Sequence, residues 1–278
     1  MKILFDELSF KICQETTKKY STSFSFGILA LSNEIRPAIY AIYGYARLAD
    51  EIVDSFHGYD KNYLMQHLRE ETIYSIKEQI SLNPVIHAFQ QTVNRYGIEW
   101  ELIDTFLRSM EMDLRPVNYD SDLYDTYILG SAEVIGLMCL RVFVKGNKEE
   151  YQKLKPYAMR LGSAFQKVNF LRDLKHDYNI LGRTYFPNVN MKEFDTGVKL
   201  EIEKEIEQEF REALEGIKML PHSAKFGIYL AYTYYTSLFR KIQQTPAQKI
   251  ISERVRIHNG KKISLMMSSY LQFKMAMI

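Results

Sequence analysis

Two stretches of this sequence carry acids at spacings that could hold a cation. The first presents Tyr43, Arg47, Asp50, Glu51 and Asp54 within residues 40–54. At about 100° per residue these fall on one helical arc of roughly 100°. Ile39, Ala41, Ile42, Ala46, Leu48, Ala49, Ile52 and Val53 cover the other side, so the helix is expected to be buried nearly all round. Carboxylates in that setting need partners, and a cation is the natural one. The second stretch repeats the logic. Gln166, Asn169, Asp173 and Asp177 recur one helical turn apart, on a segment otherwise made of Phe165, Val168, Phe170, Leu171 and Leu174. Oxygen donors so spaced suit a hard divalent ion, Mg²⁺ or in its place Mn²⁺, and such ions often share their ligands with substrate phosphates. A lone Asp-x-x-x-Asp is usually a solvated helix face. Two such stripes on apolar helices, with amide oxygens beside them, point to a site.

The elements that would position these groups read as helices throughout. Phe5, Leu8 and Ile12 open a first helix that ends near Tyr20, and Ser21-Thr-Ser23 suits a turn or an N-cap. Pro37 fits the first turn of the helix that carries the first stripe to about Phe56. Leu64, Leu68, Ile73, Ile76 and Ile80 keep the helical period until Asn83-Pro84 breaks it. Helices over 85–96 and 100–110 follow, and the polar run 120–125 starts another. The apolar stretch Tyr127–Val144 is interrupted by Glu133 and Arg141, so it reads as a core helix and not as a membrane span. Pro156 is expected to end a short helix, placing the second stripe on a helix from about Tyr157 to Tyr178. Residues 179–190 lack periodicity and read as a loop, in which Arg183 could grip a phosphate through two parallel hydrogen bonds. An amphipathic outer helix over 192–218 comes next. A tyrosine-rich helix after Pro221 carries Tyr229, Tyr232, Tyr234 and Tyr235. Near the end Lys249, Arg254, Arg256, His258, Lys261 and Lys262 form a basic cluster. It is either a solvated helix end or a contact for a diphosphate or an anionic membrane surface. With no strand alternation, repeat or linker, the expectation is all-α: one helical bundle over residues 1–278 around a deep central cavity.

Composition narrows the class. Thirty-six basic and 34 acidic residues nearly cancel, so bulk charge names no partner and no nucleic acid is expected. Cys13 and Cys139, both among apolar neighbours, read as buried thiols of a reducing compartment. The first residues form too short an apolar run for a signal peptide. A cytoplasmic chain is expected, with peripheral contact at a membrane left open. Twenty Tyr and 16 Phe against one Trp would serve a core or a hydrocarbon pocket equally.

Taken together, the motifs resemble those of the squalene/phytoene synthase family, the head-to-head prenyl synthases. The two aspartate-rich motifs are Asp50-Glu-Ile-Val-Asp54 and Gln166-x-x-Asn169-x-x-Arg172-Asp173-x-x-x-Asp177. Further pieces are Ser21-Thr-Ser23-Phe24, Tyr127 with the following Gly-Ser-Ala-Glu-Val-Ile-Gly136, Met112-Asp113-Leu114, and Gly182-Arg183-Thr-Tyr185-Phe186-Pro187. The resemblance spans roughly residues 15 to 265 and implies the isoprenoid synthase type of fold. It makes Asp50, Glu51, Asp54, Asn169, Asp173 and Asp177 the Mg²⁺ ligands. Ser21, Ser23 and Phe24 would meet a substrate diphosphate, and Tyr127 and Tyr235 would line the cavity. Arg47, Tyr43, Gln166, Arg172, Arg183 and Tyr185 complete the implied site. Glu133 stands where the family usually has glycine, which puts the packing of that helix in question.

The chemistry follows from the constellation. Metal-bound carboxylates and arginines would neutralise a leaving diphosphate, and aromatic faces would stabilise the allylic cation left behind. The resemblance implies that two identical prenyl diphosphates join through a cyclopropyl intermediate. Without a reductant the product is phytoene or its shorter diapo analogue; with NADPH it is squalene. No dinucleotide fingerprint or P-loop is present, and no membrane anchor like that of eukaryotic squalene synthases follows the last motif. The expected reaction is therefore the joining of two geranylgeranyl diphosphates to phytoene, in carotenoid biosynthesis, with no NADPH. The alternatives are a squalene or dehydrosqualene synthase acting on farnesyl diphosphate, and a non-catalytic assembly protein on the same fold. Asp54-x-x-His57 and Asp173-x-x-His176 also imitate di-iron ligation, but the bridging Glu-x-x-His is missing.

Overall fold

The computed structural model describes residues 2–115, 119–179, 185–187 and 194–274. Among the described residues every regular element is helical: α1 (Lys2–Tyr20), α2 (Thr22–Leu29), α3 (Arg36–Asp54), α4 (Lys61–Glu78), α5 (Pro84–Tyr96), α6 (Trp100–Met112), α7 (Ser121–Ile128), a π-helical turn (Leu129–Glu133), α8 (Val134–Phe143), α9 (Lys148–Asn179), α10 (Thr196–Met219), α11 (His222–Gln243), α12 (Ala247–Ser252) and α13 (Asn259–Lys274). Short polar side chains start many of them. Ser21 accepts from the N–H of Phe24, Asp60 from Tyr63, Asn83 from Val85, Asp120 from Leu123 and Asp195 from Val198. Each bond satisfies a helix N–H that has no partner within the helix. Pro37 lies in the first turn of α3, where its missing N–H costs nothing.

α3 is buried as its sequence requires, packing on α1, α5 and α8. α9 is the second axis of the fold, flanked by α8, α10 and the π-helical turn. Here one expectation is corrected. Pro156 does not end a helix; α9 runs unbroken through it from Lys148 to Asn179. The proline removes one backbone hydrogen bond, but Tyr151 and Leu154 before it and Ala164, Val168 and Leu171 after it are all buried. Tertiary packing on both sides holds the axis together. The apolar run Ser121–Phe143 is long and apolar enough to cross a membrane, yet 56% of its window is buried inside the fold. It packs as a core segment against α6 and α9.

The break in that run is the π-helical turn that ends at Glu133. Close approach to α9 is possible there because position 162 is glycine. A Cβ on Gly162 would stand 2.9 Å from the Ala132 carbonyl oxygen and 3.0 Å from the Glu133 Cα. Glu133 itself is half-buried, beside Glu209, Arg160 and Lys167. Burial and the Glu209 carboxylate push its carboxyl up to about 7.

Candidate active site

The two acid-bearing helices bring their stripes to one end of a cavity of about 320 Å³. Phe24, Tyr43, Gln166, Asn169 and Tyr235 stand at that end. Along α9 the lining continues through Phe165, Gly162, Leu161, Ala158 and Tyr157 to Leu154, one residue or two per turn. From Asn169 to Leu154 is fifteen residues, or about 22 Å of helix. Ile39, Leu140, Phe143, Ile217 and Leu220 join Leu154 at the far end. The walls are apolar and the polar groups collect at one end, as a ligand with an ionic head and a long hydrocarbon tail requires.

An aromatic collar joins the stripes. Phe24 packs on Tyr43 at 5.7 Å between ring centroids and on Tyr235 at 5.8 Å, and Phe165 stacks on Tyr235 at 3.8 Å. The Tyr235 hydroxyl donates to Asn169 Oδ1 at 3.3 Å. Tyr43 lies within electrostatic reach of Arg47, Tyr235 and Asp50, and it bonds to Ser21. Burial pushes its phenol up to about 12 and raises that of Tyr235. Ser21 thus caps α2 and touches the collar at once, while Ser23 is half-buried in the first turn of α2.

The acids are held by arginines. Arg47 bonds both Asp50 and Glu51 and lies 4.1 Å from the Tyr20 ring. Burial alone would raise the Glu51 carboxyl, but the Arg47 guanidinium outweighs it and leaves the group below its usual value. Asp54 closes the α3 stripe, half-buried. On α9, Arg172 grips Asp173, with 2.5 Å between its terminal nitrogen and Oδ2, and Arg254 reaches the other oxygen at 2.6 Å. Asp177 is half-buried one turn on, within electrostatic reach of Arg172. Among the described residues no three His, Cys, Asp or Glu side chains cluster closely enough to chelate one ion. The donor set is nonetheless all oxygen and suits Mg²⁺. The Nε of Arg47, buried without a hydrogen-bond partner among the described residues, is a donor facing no acceptor.

Tyr127 and Tyr185 are placed elsewhere. They do not line the cavity; they pack with Tyr119 and Phe170 in a neighbouring aromatic cluster. Tyr127 donates to Asp113 Oδ2 at 2.7 Å. Arg183 lies outside the described residues. Two basic residues of the late cluster do reach the site. Besides Arg254, Lys262 bonds the Thr22 hydroxyl at 2.6 Å and lies near Arg172. Sequence alone showed the cluster but not which members fold back. The buried Lys167–Glu209–Ser163 group, with Glu209 bonded at 2.7 Å to each partner, was missed. The periodicity of α10 marks position 209 as inward-facing, and that was the available signal.

The squalene/phytoene synthase family model matches residues 17–261. A 4,4'-diapophytoene synthase of Staphylococcus haemolyticus is 27% identical over 206 residues, covering 72% of this chain and 69% of that protein. The chloroplastic phytoene synthase 1 of Zea mays is 25% identical over 281 residues, covering 93% and 67%. Among solved structures, a dehydrosqualene synthase in complex with ligand superposes with a TM-score of 0.82 at 19% identity, over 97% of this chain and 98% of that one. Squalene synthase HpnC from Alicyclobacillus acidocaldarius gives 0.73 at 21%, over 85% and 93%; both show likeness of fold. With the family's pattern matched across most of its length, this chain belongs to the squalene/phytoene synthase family, prenyltransferases that condense prenyl diphosphates head to head.

Proposed function

We propose that this chain joins two geranylgeranyl diphosphates through a cyclopropyl diphosphate to phytoene, without NADPH, as a step of carotenoid biosynthesis. The observation that carries the reading is the length of the apolar lining. An isoprene unit adds four chain bonds, about 5 Å when extended, so a geranylgeranyl tail needs about 20 Å and a farnesyl tail about 15 Å. The lining from Asn169 to Leu154 supplies about 22 Å.

Divalent ions, Mg²⁺ or Mn²⁺, supply charge neutralisation to a departing diphosphate; Asp50, Glu51, Asp54, Asn169, Asp173 and Asp177 are the residues that would hold them. Arg47, Arg172, Arg254 and Lys262 bind diphosphate oxygens, with Arg183 a further donor that the family resemblance suggests. Ser21, Ser23 and the first N–H groups of α2 add a helix N-terminus to the same anion site. Departure of diphosphate leaves an allylic cation beside the rings of Phe24, Tyr43, Phe165 and Tyr235, whose faces stabilise it. The apolar walls keep water from it. Gln166 and Asn169 orient the head of the substrate where the collar meets the acids.

The likeness to a diapophytoene synthase favours a second reading, two farnesyl diphosphates and a C30 product. Purified protein with Mg²⁺ and either substrate, with and without NADPH, decides between them by hydrocarbon analysis. A C40 product without NADPH supports the first reading. A C30 product alone replaces it with the second. No hydrocarbon from either substrate overturns both and makes the chain a non-catalytic member of its family.

A further inference from the structure

Asp173 stands in the α9 stripe with a guanidinium against each of its oxygens. Arg172 donates to Oδ2 from a terminal nitrogen at 2.5 Å and from Nε at 3.1 Å, while the Nε of Arg254 stands 2.6 Å from Oδ1. A divalent ion that is to use this carboxylate competes with both. The two arginines are held differently. Arg172 is the neighbour of Asp173 on one helix, and its side chain is 25% exposed. The Arg254 side chain is 47% exposed and comes from a separate segment.

That segment is a strap whose backbone is fixed. Residues 253–258 link α12 to α13 without helical structure, and their burial alternates with a period of two. Val255 and Ile257 turn into the apolar cluster that holds Phe170, Leu171 and Leu174, while Arg254, Arg256 and His258 face outward. Lys241 donates to the Arg256 carbonyl at 2.6 Å. Further along, the Tyr234 hydroxyl donates to the Lys262 carbonyl at 2.8 Å, and the Lys262 ammonium to the Thr22 hydroxyl at 2.6 Å. The backbone is therefore pinned on both sides of Arg254, by the buried Ile250 before it and Val255 after it. Its guanidinium rides on a long side chain half in solvent, and rotamer changes alone move it.

The same chain segment brings Lys262 to the first turn of α2 and into electrostatic reach of Arg172, so the basic groups of the anion site and the Asp173 carboxylate are neighbours. We infer that Arg254 is an exchange residue: in the free protein it holds Asp173 as a stand-in cation, and it yields that carboxylate to a divalent ion as it moves to a diphosphate oxygen. The exchange makes the two ligands depend on each other. An ion alone must displace Arg254 and leave its charge uncompensated beside Arg172. A diphosphate alone meets an Arg254 already engaged. Together they satisfy every group, a positive coupling of the kind that is typically about 5- to 150-fold. The inference rests on the metal and diphosphate assignments proposed above.

The test reads binding to the full chain, each ligand by itself, with circular dichroism to confirm that every variant is folded. Mn²⁺ alone is titrated through the paramagnetic resonance signal of the free ion. Arg254→Met should bind it at least about fivefold more tightly than wild type, and Arg254→Lys should fall between the two. Arg256→Met, which removes an exposed charge two residues away, should stay within about twofold of wild type. Inorganic diphosphate is then titrated by calorimetry in EDTA. Asp173→Asn, which frees Arg254, should tighten its binding at least about fivefold. Adding Arg254→Met to Asp173→Asn should cancel most of that gain, whereas Arg254→Met alone should change binding less than about twofold. The inference is overturned if Arg254→Met binds Mn²⁺ no more tightly than wild type, if Arg256→Met tightens it equally, or if the diphosphate gain of Asp173→Asn survives the loss of Arg254. If neither wild type nor Arg254→Met binds Mn²⁺, the metal assignment itself falls, and the exchange with it.

Discussion

Ala158 lies eleven residues from Asn169 on the cavity stripe of α9, about 16 Å below the polar end. A farnesyl tail of about 15 Å ends just above that level, and a geranylgeranyl tail of about 20 Å passes it. Ala158→Phe should therefore displace the last isoprene unit of the longer substrate and leave the shorter one seated. Five carbons kept out of an apolar site at about 0.8 kcal/mol each amount to about 4 kcal/mol, near a thousandfold in relative kcat/KM. The assay is competitive: equal geranylgeranyl and farnesyl diphosphate, with C40 and C30 hydrocarbon quantified from one reaction. Retained farnesyl turnover and helical circular dichroism confirm that the variant is folded, and Ala158→Val should give a smaller shift in the same direction. An unchanged product ratio in a folded, active Ala158→Phe protein would refute the use of α9 as the ruler of the cavity.

Asp50→Asn and Asp173→Asn should each lower turnover at least a hundredfold with unchanged helix content; wild-type rates in both would sink the assignment of the stripes. Lys167→Met leaves Glu209 buried beside Glu205 with its main cation gone, and urea unfolding should show a loss of about 3–5 kcal/mol. Lys167→Met with Glu209→Leu should recover most of it. Because the folded-state Glu133 carboxyl is raised from its ordinary value of 4.5 to about 7, folding takes up a proton between those pH values, and the group's contribution to stability falls as pH rises through that window. Glu133→Gln should remove this component, so that Tm of the variant relative to wild type is higher at pH 8 than at pH 5; an equal difference at both pH values counts against it. Cys13 and Cys139, whose thiols burial pushes up to about 12, should resist iodoacetamide at pH 8 until the protein is unfolded in urea.

How much was legible in the sequence depended on the range of the interaction. Period and cap chemistry marked α3, α4, α5 and α6 nearly to their ends, because those signals are local. Pro156 misled for the same reason: its cost is local, while the packing of Tyr151, Leu154 and Val168 that overrides it is not. The acidic stripes of α3 and α9 were visible as faces, and Arg47 and Arg172 stand within a turn of the acids they bind, yet nothing local said that Arg254 would join them. Arg254 reaches Asp173 across eighty-one residues. Tyr127 shows the converse. Its motif led to an expectation of a cavity tyrosine, but its contacts are with Asp113, Tyr119 and Tyr185. The second half of the inward face of α10 carried Glu209, and a charged residue at a core-facing position signals a buried partner whose identity only the fold supplies.

Burial has one more effect at the collar. On the proposed reaction, every turnover creates an electrophile able to alkylate the protein that made it. Groups on the wall that such an electrophile could alkylate include the Tyr43, Tyr157 and Tyr235 oxygens and the Cys139 sulfur. Burial holds Tyr43, Tyr235 and Cys139 in their protonated forms, Tyr43 and Cys139 with values near 12 and Tyr235 raised as well. Phenolate and thiolate are the nucleophilic forms, and the cavity keeps both scarce at any physiological pH. The ring faces remain available to the cation while the anionic, most nucleophilic forms of Tyr43, Tyr235 and Cys139 stay scarce. The burial that shapes a hydrocarbon pocket thus also keeps these side chains in their less nucleophilic, protonated forms.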